Sequence, residues 1–226
     1  MNIINNFTQR QVYDNALNLI SAAGINQQEA VLSQSYLRSE VAVVAGKSQY
    51  HIPVLVTDPD GGNAGIPFNT ERRLALQDAF VLNQLGIFIA KPSGATDTAY
   101  PLHTYPNAQE FATAGAADAF LTLYNGYLRC EVNGKVLIPY WDVMRHYLVP
   151  QTQNGVIITA QTIAPVDQND MSTDGSYPVE PNIVIVGSKN VNINLILPTA
   201  IGTIEPNSRI IVFMRGILSQ NSTSVY

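Results

Sequence analysis

Residues 120–139 read FLTLYNGYLRCEVNGKVLIP, with two Asn-Gly pairs, Asn125-Gly126 and Asn133-Gly134, each breaking a short run of Leu, Val, Ile and Tyr. Asn-Gly is the strongest local hairpin signal, because a type I′ turn needs a positive φ at both central residues. The stretch therefore predicts a three-stranded antiparallel meander, its register set by the turns so that Tyr124 faces Tyr127 and Val132 faces Lys135. Strand alternation then places Leu121, Leu123, Leu128, Cys130, Val132 and Leu137 on an apolar face. Thr122, Tyr124, Tyr127, Arg129 and Glu131 fall on the opposite face, wet or covered by a partner.

Working outward, residues 1–40 read as helical. Thr8 with Gln11 and Asn26 with Glu29 match capping boxes, and Val12, Ala16, Leu19 and Ile20 recur at helical spacing. The expected domains are an N-terminal helical arm, 1–40, and a β-body, 41–226. Deleting the arm is expected to leave the body folded and to abolish higher assembly. In the body, Val41–Val44, Ile52–Val56, Leu85–Ala90, Gly155–Ile163, Ile183–Val186, Val191–Leu197 and Arg209–Leu218 read as strands. The last is apolar almost throughout, as for a strand buried on both faces. Asn107 with Glu110 starts a short helix to about Asp118, and Trp141–Leu148 has helical spacing with Trp141, Met144 and Tyr147/Leu148 facing the core. About nine to ten strands with short turns predict a mainly β protein: an antiparallel two-sheet sandwich, jelly-roll-like, with a helical arm and one or two short inserted helices.

Composition narrows the function. Only 13% of the 226 residues are charged, against roughly 25% in typical domains. Asn and Gln supply about 15% instead, beside a usual composition richer in Lys and Glu. Neutral polar surface costs less to desolvate than charged surface, which suits either extensive interfaces or an amide-rich exterior. A net charge of −5 with no basic run argues against autonomous nucleic-acid binding. The N-terminus lacks the pattern of a signal peptide, and no apolar run is long enough for a membrane-spanning helix. The sequons at Asn6 and Asn221 are read as chance matches.

Chemistry is sparse. His51, His103 and His146 carry no ligand spacing, and there is no nucleophile elbow, P-loop, GxGxxG or CxxC. Cys130 reads as an inert core thiol. Asp58/Asp60 and Asp167/Asp170/Asp174 are candidates for a cation or an acid site, weighed against ordinary turn chemistry. No cofactor and no enzymatic role are expected. Candidate interface residues are Val12, Leu19, Tyr36, Tyr100, Tyr105, Tyr124, Tyr127 and Arg129.

The segments PNIVIVGSKNVNINLILPT (181–199) and RIIVFMRGILSQN (209–221), closing a chain that opens with a helical arm, resemble coat or other virion structural proteins of bacteriophages. The resemblance implies a jelly-roll-like subunit that packs symmetrically with copies of itself and with other virion proteins, assembled in a host cytoplasm. The acidic charge departs from coat proteins that neutralise a genome directly. The competing class is a carbohydrate- or peptide-binding β-sandwich using the Tyr/Asn-rich loops. An enzyme with an unrecognised acid site comes third.

Overall fold

The computed structural model describes residues 3–22, 30–53, 74, 76–95, 97, 99–107, 110–149 and 175–221, without the side chains of 3–9 and Val12. The protein is mainly β. Helix α1 spans Ile3–Ala22, and strands β1 (Val31–Ala42), β2 (Gln49–Pro53) and β3 (Ala79–Ala90) follow. After helix α2 (Ala116–Tyr124) come β4 (Tyr127–Val132) and β5 (Lys135–Asp142), a 3-10 turn at Met144–His146, then β6 (Ser176–Val186), β7 (Val191–Ile196) and β8 (Arg209–Gln220). Among the described residues, eight strands form two antiparallel four-stranded sheets. Sheet A has the order β1-β8-β3-β6 and sheet B the order β2-β7-β4-β5.

The pairing follows a simple rule. Strands pair first with last: β1 with β8, β2 with β7, β3 with β6 and β4 with β5. The chain is thus one long antiparallel ribbon doubled back at Asn133-Gly134. Two further pairings, β3 with β8 and β4 with β7, roll that ribbon into its two sheets. All eight strands and α2 contribute side chains to one shared core, among them Leu37, Ile52, Phe80, Leu128, Trp141, Ile185, Ile193 and Met214. Burial of this kind of apolar surface dominates the folding free energy.

The second Asn-Gly pair behaves as the sequence predicts. Asn133 (φ 48°) and Gly134 (φ 77°) both have positive φ, and Val132 pairs with Lys135. The first does not. Residues 116–124 are helix α2, so Asn125 is a helix C-cap (φ −83°) whose side chain donates to the Leu121 carbonyl at 2.8 Å. Gly126 is required by close approach: a Cβ there would lie 2.7 Å from the Ile196 carbonyl oxygen. Helical rather than strand periodicity then decides burial. Ala116, Phe120, Leu123 and Tyr124 face the core, whereas Leu121 is exposed. Tyr124, expected on the wet face, is fully buried, and Leu137, expected in the core, is 38% exposed on the edge strand β5.

Other expectations are corrected as well. Residues 31–40, read as the second helix of an arm, form most of β1, paired along its whole length with β8. Here the segment runs alongside the long, largely apolar strand β8, and sheet pairing overrides a weak helical pattern. Deleting residues 1–40 would therefore remove a strand of sheet A. Helix α1 lies against that sheet, with Ala16 and Ile20 buried on Ala79, Val81, Val186 and Ile217. Trp141 belongs to β5, and Met144 is exposed rather than core-facing. The helix expected from Asn107 starts later, at Ala116. The Arg209–Leu218 run, expected to be buried on both faces, lies in the middle of sheet A as part of β8: Arg209–Val212 is buried on both faces, whereas Phe213 and Arg215 are half-buried on the outer one. The cap at Asn26–Glu29, the Gly155–Ile163 strand and Asp58, Asp60, Asp167, Asp170 and Asp174 lie outside the described residues.

Candidate interface surfaces

The expected interface residues separate into two faces, one core position and one position in the segment before α2. Tyr124 is the core position: a fully buried ring, packed edge-on against Tyr147 at 5.1 Å, cannot touch a partner. Leu19, Tyr36 and Tyr100 lie on the outer face of sheet A, together with the backbone of Val12 in α1. Tyr127 and Arg129 lie on the outer face of sheet B. Tyr105 is half-buried in the segment before α2.

An asparagine bulge shapes the outer face of sheet A. On β3, Phe80 and Leu82 point to the core, but so do Leu85, Ile87 and Ile89; the register shift between Leu82 and Gln84 inserts Asn83 and flips the alternation. An extra residue on one strand does this in antiparallel pairs. Opposite the bulge, Gly216 of β8 lies so close to Val81 that a Cβ would sit 1.9 Å from its carbonyl oxygen.

At the far end of that face a charged cluster is buried beneath Ala95 and Tyr100. Glu40 forms ion pairs with Arg38 (2.6 Å) and Arg209 (3.2 Å), and the Tyr100 hydroxyl donates to its carboxylate. Arg209 also donates to the Tyr100 oxygen at 3.0 Å and to the Ala95 carbonyl at 2.8 Å. Burial, and then the bond and charge of Glu40, push the Tyr100 phenol above its ordinary value, with Arg209 opposing. Sequence reasoning missed this cluster. Glu40 and Arg209 are 169 residues apart and meet only because β1 pairs with β8. The loop is pinned again where Glu205 pairs with Lys91 (3.0 Å) and accepts the Thr113 N–H (2.7 Å). The Thr113 hydroxyl and N–H, with Lys91, hold the Glu205 carboxyl down at about 2.

The outer face of sheet B is built differently. Cross-strand rows run Ile196–Tyr127, Asn194–Arg129 and Asn192–Glu131, with His51 Nδ1 3.1 Å from the Asn194 side-chain oxygen. Tyr127 packs on Tyr140 at 5.0 Å, and Tyr140 is 75% exposed. Arg129 lies 3.5 Å from Glu131. Val136 and Leu137 extend an exposed apolar edge along β5.

Apart from the Glu40 cluster, the buried thiol and imidazoles among the described residues each have their own surroundings. Cys130 is buried, and burial pushes its thiol up to about 11. His146, fully buried, accepts from Trp141 Nε1 (2.9 Å) at Nε2, so Nδ1 carries the proton donated to the Gly175 carbonyl (2.8 Å). Burial lowers this imidazole to about 4, so it stays neutral and ties the end of β5 to the start of β6. His103 packs on Phe111 and is also lowered by burial. Among the described residues no group of three or more His, Cys, Asp or Glu could hold a metal ion, and no helix is long and apolar enough to cross a membrane.

The class these features define is a mainly β protein of two antiparallel sheets with amide- and tyrosine-rich outer faces. Compared with known proteins, the chain matches no family model, no curated protein and no solved structure.

Proposed function

We propose that the chain is a non-catalytic structural virion protein that packs with copies of itself, and with other virion proteins, in a symmetric particle. The observation that carries this reading is the strand order. An eight-stranded ribbon rolled so that β1-β8-β3-β6 faces β2-β7-β4-β5 supports a double Greek-key jelly roll, an architecture used by viral capsid subunits as well as lectins and cupins. The sparse charge of the whole chain and the exposed Tyr140, Val136 and Leu137 on sheet B favour a surface easily desolvated against a neighbour. On this reading sheet B and its β5 edge meet other subunits, and α1 is the N-terminal appendage. The test is sedimentation velocity with negative-stain imaging across a wide concentration range. Symmetric particles or rings that dissociate on Tyr140→Arg are the expected result. A monomer at every concentration, unchanged by Tyr140→Arg, overturns self-assembly.

A further inference from the structure

Beside α1, the outer face of sheet A opens into a groove of about 1360 Å3. Its floor is the two central strands, β8 and β3, and its walls are α1, β1 and β6. Tyr36 stacks on Phe213 at 5.1 Å on the floor, and Tyr13, 42% exposed, stands on the helical wall. Six of the lining side chains are amides, while Glu180 and Arg215 are the lining acid and base, so the groove carries no net charge of either sign.

We propose that this groove binds a neutral oligosaccharide, its rings lying on Tyr36 and Tyr13 and its hydroxyls paired by the lining amides. Three observations select that ligand class. First, β8 and β3 are hydrogen-bonded on both sides within sheet A, so the floor offers no free backbone for an extended peptide to join as a strand. A peptide could join sheet A as a strand only along the outer edges of β1 or β6, so recognition across the floor comes from side chains. Second, aromatic faces with amide donors and acceptors match the apolar CH faces and hydroxyl edges of sugars. The space also exceeds the roughly 300–1,000 Å3 of ordinary small-molecule sites, which calls for an extended ligand of several rings. Third, Asn83, the bulge residue in the groove, has a buried side-chain oxygen with no hydrogen-bond partner. A buried acceptor left unpaired is rare, and rotation of the Asn83 amide toward the groove would let a ligand hydroxyl supply its donor. The inference is independent of assembly through sheet B.

The test is a printed array of neutral and acidic oligosaccharides probed with the full chain, with hits titrated calorimetrically. The expected result is a neutral oligosaccharide whose binding falls about tenfold or more in Tyr13→Ala, as for loss of one ring contact, and is lost in Tyr36→Ala. Tyr13 is exposed, so its variant keeps the wild-type unfolding temperature and separates lost binding from lost folding. Retention of no neutral glycan, binding that survives both substitutions, or a preference for acidic glycans or peptides overturns the proposal. So does a groove filled by a second copy, seen as Tyr13→Ala altering the oligomeric state.

Discussion

The hydroxyl of Tyr124 sits in the core with no hydrogen-bond partner, and burial raises its ionisation far above the ordinary phenol value. An unpaired buried hydroxyl costs about 1–3 kcal/mol, so Tyr124→Phe is expected to stabilise the protein by about 1 kcal/mol, read as a higher urea midpoint. Destabilisation by that change would mean that the hydroxyl has a partner after all. Glu40 presents the reverse case. Its carboxylate offsets two buried guanidinium groups, so Glu40→Gln leaves uncompensated positive charge and is expected to cost about 3 kcal/mol or more. The single tryptophan, Trp141, stacks under Arg145 at 4.4 Å and donates to His146, so its fluorescence follows unfolding in both experiments.

Elements show where sequence is sufficient and where it is not. Asn133-Gly134 and the apolar run of β8 are legible because their signals are local: a positive-φ turn and a strand buried on both faces. Phe120–Tyr124 has a strand-like sequence but forms a helix, and Val31–Leu37 has a helix-like sequence but forms a strand. Both are short apolar segments whose state is chosen by what they pack on, α2 against the shared core and β1 along β8. The tyrosines were visible as candidates, but their distribution between core and surface depended on those assignments. The Glu40 cluster needed a long-range pairing that no local pattern encodes. Two predictions belong at this scale. Gly216→Ala, which drives a Cβ into the Val81 carbonyl beside the Asn83 bulge, is expected to destabilise sheet A by several kcal/mol, about the range of overpacked cores or more. Deleting residues 1–22 instead uncovers Ala79, Val81, Val186 and Ile217 while leaving β1 in place. The product is expected to keep β-type circular dichroism and to bind a hydrophobic dye, whereas loss of the β signal would make α1 integral to the fold.

For the molecule as a whole, acid is the informative variable. His146 titrates near 4 when folded against 6.5 ordinarily, so the unfolded chain takes up the proton first. Its contribution is therefore complete above pH 6.5 and is lost as pH falls toward 4, to at most about 3 kcal/mol. Glu205, held near 2 against 4.5, contributes above pH 4.5 and is lost below it. Denaturation curves between pH 7 and 3 are expected to show both losses. His146→Gln flattens the upper section and Glu205→Gln the lower; a His146→Gln profile still as steep between 6.5 and 4 would remove the imidazole from the account.

Because the ribbon pairs first strand with last, Val31 lies opposite Gln220. The start of β1 and the end of β8 thus share one corner of sheet A, while the Asn133-Gly134 tip joins β4 to β5 in sheet B. Opening the chain at Asn133-Gly134 would keep every strand pairing while placing two new ends at one tip of sheet B.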